Sequence, residues 1–348
     1  MCTRRSNAVH SRHASVAYSS CVVLAEKALI AQVRRMAKRG PKRFIRTAIG
    51  DDCAVLQLSP DRRTKSDALV TTDFSLEGIH FRRDWHSPES IGHRCLTRGL
   101  SDIAAMGGDP VAAFLSLGLP RDVPQSWVNR FTRSLLTLAA KYRVTLAGGD
   151  TAESPAGILA DIVVVGIAAE GQAVLRSGAR PGNIIYVTGE LGGSAAAVAA
   201  MQTKAKRKLN SRQYPRHFFP EPRIDVGRFL LEQKLVTAMI DTSDGLSTDL
   251  AHICEESRVG AELRAEGIPR GRVGYPERTV DLHLALHGGE DYELLFTARA
   301  DQRIPDRIAG VSITPIGRIT RTRKMVLIKH NGVRSRLQPK GWEHFRKR

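Results

Sequence analysis

Carboxylates are outnumbered in this 348-residue chain: 35 Asp and Glu face 53 Lys and Arg, leaving a formal net charge of +18. Cysteine is scarcer still. The five, Cys2, Cys21, Cys53, Cys95 and Cys254, are odd in number and never spaced as CxxC. That excludes a disulfide framework and a zinc site, and fits a reducing cytoplasm. No apolar run approaches the ~18–20 residues that cross a bilayer as a helix. The longest, residues 158–169, is interrupted by Asp161, so no membrane partner is expected. The apolar segment over 16–25 is broken by Ser19 and Ser20, too short a run for a signal peptide. Tyr18 stands where a lipoprotein site at Cys21 requires an aliphatic residue. There is no GxxxxGK[ST] and no protein-kinase motif set, which removes P-loop and protein-kinase chemistry.

What is present points to a packed globular protein. Apolar residues make up 42% and charged residues 25%, a composition that folds. The length suits two domains of roughly 150–200 residues. The positive charge suggests a nucleic-acid partner, but its distribution argues against one. Residues 1–46 carry 11 Lys and Arg with one acid, Glu26; residues 318–348 carry 11 with one acid, Glu343. The stretch between them holds 31 basic and 33 acidic residues. The excess is confined to the ends, which lack interleaved aromatics.

The periodicities predict helices and strands in both halves. A helix is expected over 24–39, ended by Gly40-Pro41. Strands are expected over 54–58 and 68–72. Ser87 and Pro88 open a further helix that Gly107-Gly108 stop. Trp127, Phe131, Leu135, Leu138 and Tyr142 recur at helical spacing and read as core. Strands follow over 114–119, 144–147 and 158–168, and residues 176–183 read as a domain junction. The second half predicts a strand over 184–188, an Ala-rich helix, a basic loop over 204–223, and strands over 292–298, 313–317 and 325–328. Two α/β-type (α+β) domains are the natural fold class, with no short repeat.

The informative feature is where the central stretch places its acids. They sit beside Gly, Ser or Thr at the ends of apolar segments: Gly50-Asp51-Asp52, Thr71-Thr72-Asp73, Ser101-Asp102, Gly149-Asp150, Asp241-Thr242-Ser243-Asp244 and Gly289-Glu290-Asp291. Any one of these reads most simply as a turn or a helix cap. Six together form a different pattern. Small neighbours let a ligand approach the backbone, and carboxylates supply the hard oxygen ligands that magnesium shares with phosphate. The combined reading is a multi-metal phosphate site. The run 189–194, GELGGS, follows a strand and opens a helix, which suits either an anion or close helix–strand packing. Asp102 lies three and four positions from Gly99, Ala105, Met106 and Arg98, so it faces inward. The bland alternative is a simple Arg98–Asp102 pair. Buried, it requires a metal or an Arg.

Taken as a set, IGDDCAVL, VTTDFSLEGIHF, LSDIAAMGGDP, LAGGDT, LRSGARPG, VTGELGGSAA, HFFPEPR, IDTSDGLSTDL, LHGGEDYELLFT and PKGWEHF resemble, in family order, the thiamine-monophosphate kinase family. That family lies within the ATP-binding superfamily of aminoimidazole ribonucleotide synthetase and selenophosphate synthetase. The match runs from about residue 26 to residue 345. The resemblance implies ATP-dependent, magnesium-dependent phosphorylation of thiamine monophosphate to thiamine diphosphate in the cytoplasm. It implies a homodimer built on an N-terminal ATP- and metal-binding domain (26–171), with a C-terminal domain (172–348) covering the acceptor. Residues 1–25 are expected to be a disordered basic leader.

By motif, Asp52, Thr71, Thr72, Asp73, Asp102, Asp150, Asp241 and Asp244 resemble the family's metal positions. The ligand implied at Thr71 is its main-chain carbonyl. Gly149, Asp150, Arg176 and Ser243 resemble the ATP contacts. His80, Glu290 and Trp342 resemble the thiamine-phosphate contacts; a core histidine, an interdomain ion pair at Arg176 and a tail anchor at Trp342 are the bland alternatives. No residue is implied as a general base. Gly99 stands where family members often carry Asn. A selenophosphate synthetase would need a reactive Cys in a Gly-rich N-terminal segment, and Cys2 and Cys21 lack that context. A purine synthetase would lack the GGEDYEL and GWEHF blocks.

Overall fold

A computed structural model describes residues 24–37, 44–58, 65–203 and 209–345. The leader expected over 1–25 lies almost wholly outside the described residues. The first half begins with α1 (Glu26–Ala37), then β1 (Ile45–Thr47), β2 (Ala54–Gln57), β3 (Ser66–Leu76) and α2 (Pro88–Ala105). It continues with β4 (Asp109–Leu119), α3 (Gln125–Lys141), β5 (Thr145–Glu153) and β6 (Leu159–Ala169). Helix α2 starts where Ser87 and Pro88 predict: the Ser87 hydroxyl oxygen accepts the Ser90 N–H at 3.2 Å, satisfying one orphan donor of the first turn.

The first sheet has the order β1-β2-β3-β6-β4-β5 and is antiparallel except for the β4–β5 pair. One face is covered by α2 and α3. Trp127 stacks on Phe131 with ring centroids 5.3 Å apart, as core. Among the described residues no helix covers the other face, and Phe74, Val111, Phe114 and Ile167 stand exposed on its strands.

The second half runs β7 (Ile184–Thr188), α4 (Gly193–Thr203), α5 (Pro215–Phe218), α6 (Ile224–Glu232), β8 (Ala238–Asp241), α7 (Leu246–Ser257) and β9 (Gly260–Arg264). A small hairpin, β10 (Arg272–Val273) and β11 (Arg278–Thr279), precedes α8 (Leu282–His287). Strands β12 (Leu294–Ala298), β13 (Arg307–Ile308), β14 (Val311–Thr320), β15 (Met325–Ile328) and β16 (Arg334–Arg336) complete it. The second sheet has the order β16-β15-β9-β14-β7-β12-β8.

Helix α2 joins the halves. Ile91, Leu96, Leu100 and Ile103 are buried within one cluster that also takes Ile224, Leu230, Met239, Leu294 and Phe296 from the second half. Fourteen of its 18 residues are buried, polar Ser90, Arg94, Thr97 and Ser101 among them, as a helix packed between two sheets requires. The expected basic loop over 204–223 is, where described, ordered around a short helix, and it buries His217. Two of its arginines turn inward: Arg216 and Arg223 both pair with Glu293, whose side chain is fully buried.

Candidate active site

Four local devices bring the acids together. In β3, side chains alternate between faces, so Thr71 and Asp73 point toward α2 while Thr72 points to the open face. Thr71 donates its hydroxyl to Asp102 on α2, and Thr72 donates to Asp161 of β6 at 2.8 Å. At the end of β8, Asp241 accepts the Ser101 hydroxyl at 2.6 Å. In the turn before β2, Asp52 accepts from Arg176 at 2.7 Å. One carboxylate oxygen from each of Asp52, Asp102 and Asp241 lies within 4.8 Å of the others.

These groups crowd charge of one sign. Burial, then the neighbouring Asp73, Asp241 and Asp52, push the Asp102 carboxyl well above its ordinary value. Burial, then Asp52, raises Asp241 to about 7; burial, then Glu26, raises Asp244 to about 6. The second oxygen of Asp52 is buried without a hydrogen-bond partner. A hard divalent cation fits this donor set: three convergent carboxylates, one with an unsatisfied oxygen.

The cluster opens into a cavity of about 690 Å³. Its lining includes Thr72, Asp73, Asp102, Asp241, Ser243 and Asp244, together with His80, Glu290 and Trp342. His80 accepts the Leu76 N–H through Nδ1 at 3.0 Å, and burial, then Arg98, lowers it to about 3, so it is neutral near pH 7. Glu290 is clamped by Arg94 at 2.6 Å and Arg98 at 3.1 Å. Burial alone would raise its carboxyl, but the two guanidiniums hold it at about 2. Glu290 and Tyr292 both adopt left-handed backbone, a conformation costly enough in non-glycine residues to need support. Hydrogen bonds from Glu290 N–H to the Ser243 carbonyl (2.8 Å) and from Tyr292 N–H to the Thr242 carbonyl (3.0 Å) supply it. Trp342 is 43% exposed at the rim, held by its N–H on the Asp244 carbonyl at 3.0 Å. His344 packs edge-on to His80, ring centroids 5.4 Å apart, and its N–H bonds Glu26 of α1 at 2.8 Å.

Not every expected residue converges here. Gly149 and Asp150 lie on β5, an exposed edge strand, and among the described residues the Asp150 side chain accepts only the N–H of Thr151. Gly149 has φ of +150°, and a Cβ there would lie 1.8 Å from the Leu115 carbonyl oxygen, so a side chain is excluded. Arg176 faces a neighbouring cavity of about 250 Å³ together with Ser243 and Asp244.

Among the alternatives the sequence leaves open, the Arg98–Asp102 pair does not form: Arg98 reaches Glu290 and the Tyr292 hydroxyl. The Thr71 side chain takes part in the cluster through its hydroxyl on Asp102. At the start of α4, Gly192 and Ser194 donate their N–H groups to Asp291 at 2.6 and 3.2 Å, within the protein. At Gly99 a Cβ would lie 2.6 Å from Val164, so α2 seats directly on β6 and Asn has no room. The sequence reading missed Arg94, Asp161 and His344. The spacing of Arg94, Arg98 and Asp102 along one helical face was the available signal.

The family model described as AIR synthase related protein, N-terminal domain, matches residues 50–168, and its C-terminal counterpart matches residues 180–330. Fold and site thus define a two-domain protein of the AIR synthase related class. Thiamine-monophosphate kinase of Escherichia coli strain K12 is 38% identical over 318 residues, covering 88% of this chain and 94% of the relative. That of Bacillus subtilis strain 168 is 33% identical, covering 86% and 93%. A solved structure described as AaThiL complexed with AMPPCP and TMP is 30% identical, with a TM-score of 0.79, covering 94% of this chain and all of that one. The chain belongs to the thiamine-monophosphate kinase family. The hydrogenase maturation protein HypE of E. coli, 15% identical at a TM-score of 0.64, shares the fold alone.

Proposed function

We infer that the protein transfers the γ-phosphoryl group of ATP to thiamine monophosphate, giving thiamine diphosphate and ADP, the last step of thiamine diphosphate synthesis. The observation that carries this reading is a single cavity lined both by the clustered aspartates and by His80, Glu290 and Trp342.

The chemistry suits these residues. A terminal oxygen of the acceptor phosphate attacks the γ-phosphorus in line, and the bond to the β–γ bridging oxygen breaks. A phosphate monoester with a second pKa of about 6 is already largely ionised near pH 7, so no general base is required. The difficulty is the meeting of two polyanions. Asp52, Asp73, Asp102, Asp241 and Asp244 would hold magnesium ions, with Thr71 and Thr72 beside them; bound magnesium neutralises phosphate charge and aligns the reacting groups. Glu290 stays ionised and suits the cationic thiazolium, and the Trp342 indole suits either thiamine ring. Arg176, bonded to Asp52, and Ser243, in the cavity lining beside Asp244, are assigned to the ATP phosphates.

A homodimer is part of the proposal. The face of the first sheet that no described helix covers carries Phe74, Val111, Phe114 and Ile167, and β5 pairs on one side only among the described strands. A second copy on that face would bury these side chains and bring Gly149 and Asp150 into an interface. A cytoplasmic setting suits the substrates; the described cysteines, Cys53, Cys95 and Cys254, are free and buried. No helix among the described residues is long and apolar enough to cross a membrane.

A substrate screen tests the reading: ATP and magnesium with thiamine, thiamine monophosphate or formylglycinamidine ribonucleotide. Thiamine diphosphate should form from the monophosphate, and free thiamine should be inert because its neutral alcohol finds no general base. Turnover only with the purine precursor would overturn it.

A further inference from the structure

Arg98 lies between Asp73 and Glu290. Its side chain is 15% exposed and forms part of the cavity wall. Nη1 donates to Glu290 at 3.1 Å and to the Tyr292 hydroxyl at 3.2 Å. Nε points the other way, 3.8 Å from an oxygen of Asp73, and is buried with no hydrogen-bond partner. A buried donor without a partner is costly and uncommon in folded proteins.

Arg94, one turn earlier on α2, differs. It is 6% exposed and fully engaged: Glu290 at 2.6 Å, the His217 carbonyl at 3.1 Å and the His80 carbonyl at 3.3 Å. Arg94 and Arg98 both donate to Glu290, and Arg94 makes the shorter contact. Arg98 has donor capacity to spare in its unpartnered Nε, and it stands between Glu290 and Asp73. The charge of the cavity gives that capacity a use. Glu26, Asp73, Asp102, Asp241, Asp244 and Glu290 line it, against two permanent cations, Arg98 and Lys340. Such a pocket attracts a thiamine cation and repels that molecule's own phosphate.

We propose that Arg98 binds the phosphate of the acceptor, offering Nε and an adjacent N–H to a phosphate-monoester dianion. This rests on thiamine monophosphate being the acceptor. A guanidinium fork matches two phosphate oxygens at once, which an ammonium does not. Arg98 thereby selects the phosphorylated vitamin over the free one. It also holds the attacking oxygens toward Asp73 and the transfer site.

The test compares thiamine and thiamine monophosphate as ligands of the full chain with magnesium and no ATP, by calorimetry, in wild type, Arg98→Met and Arg98→Lys. Arg98→Met should loosen thiamine monophosphate by about 10–100-fold, the scale of a charge-assisted contact. Thiamine should change by no more than about twofold, since Arg94 keeps Glu290 in place. Arg98→Lys should fall between; if the Met variant does not fold, a several-fold loss confined to the monophosphate in the Lys variant supports the proposal equally. Equal loosening of both ligands assigns Arg98 to the fold and overturns the proposal, as does unchanged monophosphate binding. Wild-type turnover is measured alongside. Turnover with either overturning result removes Arg98 and leaves the reaction standing, whereas a wild type inert toward thiamine monophosphate overturns both.

Discussion

The guanidinium of Arg176 donates to one oxygen of Asp52 at 2.7 Å, while the other oxygen of that carboxylate is buried with no partner. Asp52 is thus half-satisfied by the junction between the two halves and half-open toward Asp102 and Asp241. Removing one member of such a buried pair leaves an uncompensated charge, at a cost of roughly 3–5 kcal/mol. Arg176→Met should therefore lower stability in urea when divalent cations are absent, and adding Asp52→Asn should recover part of the loss. Additive losses in the double variant would contradict the pairing.

Asp102→Asn keeps shape and removes charge at the centre of the cluster. We expect kcat to fall by at least ~10²-fold, the scale of a lost positioned electrostatic group. The rise in Tm on adding magnesium to wild type should also shrink in the variant. Near-normal turnover at saturating magnesium would remove Asp102 from this role.

Trp342 offers an indole face at the cavity rim, where neither thiamine ring reacts. Its contribution, about 0.5–2 kcal/mol, is then the same in ground and transition states. Trp342→Ala should raise KM for thiamine monophosphate by ~3–30-fold with kcat and the KM for ATP little changed. Trp342→Phe should recover most of it. A lower Tm with both substrates weakened would make Trp342 a structural anchor.

His86 lies buried against His217, their Nε2 atoms 2.9 Å apart. Burial, then Arg94, lowers its pKa from 6.5 to about 4. The unfolded chain therefore binds a proton that the folded chain refuses between about pH 6.5 and 4, and this group's contribution to stability is lost as pH falls through that window. His86→Gln removes the linkage. The stability difference, wild type minus variant, should drop by about 2 kcal/mol from pH 7 to pH 4.5. A difference independent of pH, read from urea unfolding, would show that folding leaves the His86 pKa unshifted.

Strand bounds at 184–188 and 325–328, and the Ser87–Pro88 start of α2, follow from the sequence because caps, prolines and apolar periods act over one or two turns. The small-residue company of the aspartates marks them in the sequence for the same reason. Which aspartates meet was decided by tertiary structure alone. Ser101 reaches Asp241 across 140 residues, and Arg98 passes over Asp102 for Glu290 across 192. The anion that GELGGS invites is Asp291, from the turn before β12, 99 residues beyond Gly192. Local spacing offers each of these groups several partners at similar energy; packing two sheets against one shared helix leaves only one of them within hydrogen-bond reach.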